Sequence, residues 1–227
     1  MDDQSVVDVG DVRLAYRTWG DDDGAPVVLL HALGESAADW ERVGELLGEE
    51  WRVFALDLRG HGESDWPGEY TFELMRDDVL GFLDELGLDR VGLVGHSMGG
   101  VVGYLLAEEH PDRVERLVLE EAPPPWPRAP RPAVRPEGPL SFDWPVVPAI
   151  KGQLSEPDPE WAARLGEIVA PTLYVAGGPE STMPQDRIPD LTSAIPDCRA
   201  ITVPVGHLVH ARRPEGFAQV VSRFFSS

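Results

Sequence analysis

The sequence predicts an α/β fold in which helices flank a doubly wound, mostly parallel sheet of eight strands. Short apolar runs of strand length alternate along the chain with longer segments of helical character. One apolar run, residues 91–94, leads directly into Gly95-His96-Ser97-Met98-Gly99, and a helix-like run follows at residues 101–107. In an open α/β sheet, a turn of this kind lies at the carboxyl edge of the strands, where sites form.

Five of the eight strands are predicted in the first half of the chain, and the run at 91–94 is the fifth of them. Residues 12–17 alternate in polarity, which indicates a strand in an antiparallel hairpin at the sheet edge, with a turn over 20–24. The continuous apolar run at 27–30 predicts a strand buried on both faces, and 51–57 predicts the next one. Helices are expected at residues 37–47 and 71–86, the latter because its apolar side chains recur with a helical period.

In the second half, strands are predicted at residues 114–119, 171–176 and 200–203, and an amphipathic helix closes the chain. Residues 123–159 hold twelve of the 22 prolines, a density that disfavours both helices and paired strands. We therefore expect one domain, 1–227, with residues 122–160 inserted as a short, largely irregular cap that has one helix near 147–154. Trp126 and Trp144 favour a cap that folds over the site rather than a disordered linker.

The composition excludes several classes of partner. The net charge is −21, from 40 acidic and 19 basic residues, so nucleic acids and anionic membrane surfaces are poor partners. No apolar run approaches the ~20 residues of a membrane helix, and residues 1–4 lack signal-peptide features, so we expect a cytoplasmic location. Cys198 is the sole cysteine, which favours a packing role. An acidic surface is consistent with solubility, and adaptation of the protein to high salt is an open alternative.

The Gly95–Gly99 segment is suited to presenting a reactive serine. Glycine at 95 and 99 removes side chains that would collide where a strand reverses directly into a helix. The N–H of Met98 then lies at a helix N-terminus, where developing negative charge is stabilised. Because serine is a weak nucleophile at neutral pH, Ser97 needs an adjacent base.

Motifs along nearly all of the chain resemble the α/β-hydrolase fold family. They are His31-Ala32-Leu33-Gly34, Asp57-Leu58-Arg59-Gly60-His61-Gly62-Glu63-Ser64, the Gly95–Gly99 elbow and Gly206-His207. The resemblance implies Ser97 as nucleophile, His207 as base, and the N–H groups of Met98 and Leu33 as the oxyanion hole. Ala32 stands where the family usually has glycine. His61 is expected to brace its loop, and His210 is expected to be structural.

The family supplies two positions for the acid of the triad. Most relatives place it after strand seven, where Glu180 stands in this chain. A minority place it at the end of strand six, where Glu121 precedes three prolines. We favour Glu121, because the strand and the prolines would orient it rigidly, and keep Glu180 as the alternative. Glu120 should point to the opposite side of the strand.

The resemblance implies a serine hydrolase that cleaves a small acyl ester or thioester through an acyl-enzyme, without cofactor or metal. A serine nucleophile argues against dehalogenases and epoxide hydrolases, which in similar proteins use aspartate. Cofactor-free haloperoxidases, C–C bond hydrolases and lyases with the same triad remain alternatives, as do low-turnover ligand receptors. His31, Trp126 and Trp144 are expected to contact the substrate, a small acyl compound, and a homodimer stays open.

Overall fold

The computed structural model describes residues 4–130 and 132–227. All eight predicted strands are present and form one sheet in the order β1-β2-β4-β3-β5-β6-β7-β8. Their bounds are β1 Gln4–Val9, β2 Val12–Trp19, β3 Pro26–Leu30, β4 Arg52–Leu56, β5 Val91–His96, β6 Val114–Glu120, β7 Thr172–Ala176 and β8 Cys198–Thr202. The predicted fold class is therefore confirmed.

The sheet is parallel from β4 to β8, and antiparallel where β2 pairs with β1 and with β4. The predicted edge hairpin is present, but β1 is its outer strand and β2 is paired on both sides. Strands β3 and β5 are apolar and buried throughout most of their length, as strands covered on both faces must be. The carboxyl ends of the parallel strands share one edge, and the candidate residues lie in the loops there.

Eight helices accompany the sheet in the described part of the chain. They are α1 Glu41–Leu47, α2 Phe72–Glu85, α3 Met98–Glu109, α4 Val146–Ser155, α5 Pro159–Arg164, α6 Ile188–Ala194, α7 Val209–Arg212 and α8 Pro214–Phe225. The helix predicted over 37–47 begins as a 3-10 turn, Ala37–Trp40, and continues as α1. The N-cap of α2 is Thr71, whose hydroxyl accepts the Leu74 N–H at 3.1 Å. Helices α5, α6 and α7 were not predicted.

Two apolar clusters cover the two faces of the sheet. One contains the buried side chains of α2, α3 and α4, and the other contains those of α1 and α8. Phe72 and Met75 are fully buried in the first cluster, so they belong to the core. No helix in the described ranges has the length and hydropathy needed to cross a membrane.

The proline-rich segment is irregular up to α4, which confirms the helix expected near 147–154. Its backbone is joined to the loop after β4, because Gly62 N–H donates to the Ser141 carbonyl at 2.8 Å and Asp143 N–H donates to the Gly60 carbonyl at 2.7 Å. On α4, the Gln153 amide oxygen accepts the Phe72 N–H at 2.8 Å. These bonds fasten the segment to the main body of the fold.

Candidate active site

The turn between β5 and α3 holds Ser97 in a strained conformation. Its φ is 50° and its ψ is −108°, in the region that L side chains rarely adopt. The turn requires glycine on both sides, because a Cβ at Gly95 would lie 2.3 Å from the Gly99 carbonyl oxygen. A Cβ at Gly99 would lie 2.3 Å from the carbonyl oxygen of Leu30. The predicted strand–turn–helix geometry is thus present.

Ser97 and His207 line the same cavity of about 380 Å³, together with Leu33 and Met98. Within the described ranges, the N–H groups of Leu33 and Met98 donate to no other protein group. Both donors are therefore available to an oxyanion. Among the described contacts, no hydrogen bond joins Ser97 to His207; such bonds often form only when substrate is bound.

Glu121 contacts the ring of His207, since the Nδ1 atom lies 3.1 Å from the Glu121 Oε2 atom. The carboxylate is fully buried and also accepts from Gly177 N–H at 2.5 Å, from Gln185 Nε2 at 3.2 Å and from the Ser181 hydroxyl. Burial alone would raise the pKa of Glu121, but these hydrogen bonds, led by that of His207, hold it below its usual value. Glu121 is therefore an ionised, rigidly held acceptor.

The other carboxylates considered for this position lie elsewhere. Glu180 is exposed, and in the described structure no hydrogen bond or ion pair connects it to His207. Glu120 faces away from Glu121 and pairs with His210, whose Nδ1 lies 2.8 Å from the Glu120 Oε2. Burial would lower the pKa of His210, but the charge of Glu120 outweighs this and raises it. His210 is structural, as expected.

A second carboxylate–histidine pair supports the loop of His207 from below. His96 Nε2 lies 2.9 Å from the backbone carbonyl of His207, and His96 Nδ1 lies 3.2 Å from Glu35 Oε2. The His96 ring thus joins the Glu35 carboxylate to the backbone of the His207 loop. Burial would raise the pKa of Glu35, but the hydrogen bond and charge of His96 lower it to about 2. No local pattern predicted this pair, which joins positions 61 residues apart.

Glu35, His96 and His210 are also the described residues that could hold a metal ion, because their ligand atoms lie within 4.8 Å of one another. They come from three separate segments and match no spacing motif, so the sequence did not predict the cluster. In the structure the carboxylates of Glu35 and Glu120 already pair with these histidines. The protein's own hydrogen bonds thus account for the arrangement.

The three side chains expected to contact substrate do not line the cavity of Ser97. His31 is fully buried, with Nδ1 2.7 Å from the Ala32 carbonyl and Nε2 accepting the Leu58 N–H at 3.0 Å. That expectation was wrong for His31, because its ring braces two loops. Trp126 and Trp144 pack against the core cluster instead. His61 is buried and accepts the Gly34 N–H at 3.2 Å, which fits its expected bracing role.

The sequence interpretation missed two cations in the cavity lining, Arg128 and Lys151. Arg128 belongs to the proline-rich segment and Lys151 to α4, so their proximity depends on how this segment docks. One feature of the sequence could have indicated a role for Lys151, because it is the only lysine in a strongly acidic chain.

Comparison with known proteins finds chains that are similar to this one. A family model described as alpha/beta hydrolase fold matches residues 25–145. A fluoroacetate dehalogenase from Burkholderia sp. is 37% identical over 123 residues, which cover 52% of this chain and 40% of the relative. The chain therefore spans less than half the length of this curated relative.

Two further relatives match along nearly the whole chain. An sn-1-specific diacylglycerol lipase from Mus musculus is 26% identical over 276 aligned positions, covering 98% of this chain and 88% of the lipase. The solved structure of a thermophilic esterase from Thermogutta terrifontis superposes with a TM-score of 0.83 at 25% identity, covering 98% of both chains.

Proposed function

This chain belongs to the alpha/beta hydrolase fold family, and on that premise we propose that it is a serine hydrolase acting on small carboxylic esters. The observation that carries the proposal is the alignment of three groups. Ser97 and His207 line one cavity, and the Nδ1 atom of His207 lies 3.1 Å from the buried Glu121 carboxylate. This is the arrangement that nucleophile, base and orienting acid require.

In the proposed reaction the Ser97 hydroxyl attacks the ester carbonyl while His207 takes its proton. The N–H groups of Met98 and Leu33 stabilise the oxyanion of the tetrahedral intermediate. The imidazolium of His207 then protonates the leaving alcohol, and Glu121 stabilises that charge. A water molecule, deprotonated by His207, attacks the acyl-enzyme, and the acid is released as Ser97 regains its proton.

Names of relatives favour ester cleavage over the other chemistries of the fold. The lipase and the esterase match this chain along nearly its full length, whereas the dehalogenase matches half of it. A serine at the elbow suits acyl transfer. Haloperoxidase, C–C hydrolase and lyase activities, and a low-turnover receptor, are the alternatives that the test below must separate.

The test is a panel of 4-nitrophenyl esters and acyl-CoA thioesters, with labelling by a fluorophosphonate. We expect ester turnover, labelling at Ser97, and a loss in kcat of about 10⁴–10⁶ in Ser97→Ala or His207→Ala, because the triad acts as a unit. Thermal unfolding of each variant controls for folding. Ester turnover by Ser97→Ala within tenfold of wild type, or no labelling of wild type, would contradict the proposal.

A further inference from the structure

The cavity beside Ser97 differs in charge from the rest of the molecule. Acidic residues outnumber basic ones by 40 to 19 in the chain, yet none of the thirteen residues that line this cavity is aspartate or glutamate. Apart from His207, its ionisable lining residues are Arg128 and Lys151. A positively charged cavity lining in an otherwise acidic protein attracts anions to the site.

The two cations also face a larger groove. This groove, of about 720 Å³, shares Arg128, Ala129, Lys151 and Ser155 with the cavity of Ser97, so the two spaces meet at the cations. One carboxylate, Glu156, lines the far groove. A substrate that reaches Ser97 through the groove therefore passes Arg128 and Lys151.

Lys151 is placed to bind an anion that the protein does not itself provide. It is partly buried on α4, and among the described residues no carboxylate lies within ion-pair distance of its ammonium group. Arg128 is held at the same place, because its backbone N–H donates to the Ser155 carbonyl at 3.1 Å. Lys151 is therefore the charge at this wall that a bound anion would neutralise.

We propose that the substrate carries a free carboxylate, which Lys151 binds beside Arg128 while its ester group reaches Ser97. This inference rests on the proposed function and narrows its substrate class. A carboxylate fits better than a doubly charged phosphate, because the C-terminal end of α4 at Leu154 and Ser155 brings partial negative charge to the same wall. The Glu121 carboxylate repels a bound anion only weakly, because it already accepts hydrogen bonds from four donors.

The carboxylate lies either on the acyl side or on the leaving-group side of the ester, and two substrate pairs distinguish them. The acyl-side pair is 4-nitrophenyl hydrogen glutarate and 4-nitrophenyl glutaramate, and the leaving-group pair is 4-acetoxybenzoate and 4-acetoxybenzamide. In each pair an amide replaces the carboxylate at nearly constant shape. We expect wild type to favour the anionic member of one pair in kcat/KM by roughly three- to tenfold, as for a partly exposed ion pair.

The variant that tests the site is Lys151→Met, which keeps the length of the side chain and removes its charge. Its anionic-to-neutral ratio should fall close to one. Arg90→Met, on the exposed turn before β5, removes one charge far from the cavity and should leave the ratio at its wild-type value. Thermal unfolding shows whether each variant is folded. Neutral members that are hydrolysed as fast as anionic ones in both pairs, or a preference that survives Lys151→Met, would overturn the inference.

Failure of the proposed function gives a different result, because then wild type hydrolyses neither member of either pair. Calorimetric titration still decides the inference in that case, with glutaric acid monoanilide and its uncharged glutaramide counterpart as ligands that need no turnover. Tighter binding of the anion by wild type, lost in Lys151→Met, would support the carboxylate site. Equal binding of both ligands would overturn it.

Discussion

Replacing Glu121 with glutamine tests the geometry of the site most directly. At 3.1 Å and an effective dielectric constant of about 20, an ionised Glu121 attracts the His207 imidazolium by roughly 5 kcal/mol. If all of this were lost when the imidazolium forms, the rate would fall by about 10⁴. The neighbouring amide and hydroxyl groups can compensate for part of the loss, so we expect kcat to fall by about 10²–10⁴.

The surroundings of Glu121 explain why glutamine is a poor substitute. One carboxylate oxygen accepts from Gly177 and Gln185, and the other accepts from Ser181 and His207. On the Gly177 side the NH₂ group of a glutamine meets two N–H donors, and on the Ser181 side it meets the ring of His207 as well as a hydroxyl that can accept. The variant therefore also loses stability, on the order of 1–3 kcal/mol, because a buried donor is left unpaired.

The assay compares kcat on a 4-nitrophenyl ester with the thermal unfolding midpoint. Glu180→Gln is the matched control, because Glu180 is the exposed alternative acid, and it should change kcat less than about tenfold. If Glu121→Gln stays folded and retains kcat within tenfold of wild type, Glu121 is not the orienting acid. A larger loss in Glu180→Gln than in Glu121→Gln would move that role to the loop after β7.

Two further predictions concern Glu35, which is partly buried, and Glu108, which is buried. Glu35→Gln should lower kcat by about tenfold and the free energy of unfolding at pH 7 by about 1–2 kcal/mol, because ionised Glu35 holds His96 against the His207 loop. The pKa of Glu35 is about 2 in the folded protein against 4.5 in the unfolded chain, so its stabilising contribution is complete above pH 4.5 and disappears as pH falls toward 2. Denaturant titrations should therefore show a smaller difference between variant and wild type at pH 3 than at pH 7. Glu108→Gln should stabilise the protein by about 1–3 kcal/mol at pH 8, because burial raises the pKa of Glu108 to about 8 and wild type loses stability as pH rises from 4.5 to 8. The control variant is Glu85→Gln, at an exposed position. If the free energy of unfolding of Glu108→Gln depends on pH as steeply as that of wild type, the prediction is wrong.

Local sequence determined the strands and the nucleophile turn, because both depend on neighbours along the chain. A continuous apolar run of four or five residues between turn residues is too short for a typical helix and is typical of a buried strand. The turn at Ser97 needs glycine at 95 and 99 for steric reasons that act within a few residues, so Gly-x-Ser-x-Gly predicted its conformation. Helices α5, α6 and α7 were missed because they have four to seven residues, too few for a periodic pattern.

The cavity lining depended on the docking of the proline-rich segment. Proline density predicted that this segment would be largely irregular, but not which of its side chains would face Ser97. Trp126 and Trp144 were expected there because they are large and aromatic, yet they pack against the core, where burying their area is more favourable. Arg128 and Lys151 occupy the wall instead.

The choice between carboxylates was likewise made by tertiary structure. Glu120, Glu121 and Glu180 all follow or end apolar strands, so the sequence left two candidates for the partner of His207. Glu121 contacts a histidine 86 residues away because the loops after β6 and β8 meet at the carboxyl edge of the sheet, where β7 lies between these two strands. The sequence by itself thus determined which kinds of groups lie at the carboxyl edge of the sheet. The packing of the loops decided which of these groups meet, because the contacts join residues that are far apart in the chain and no local pattern predicts them.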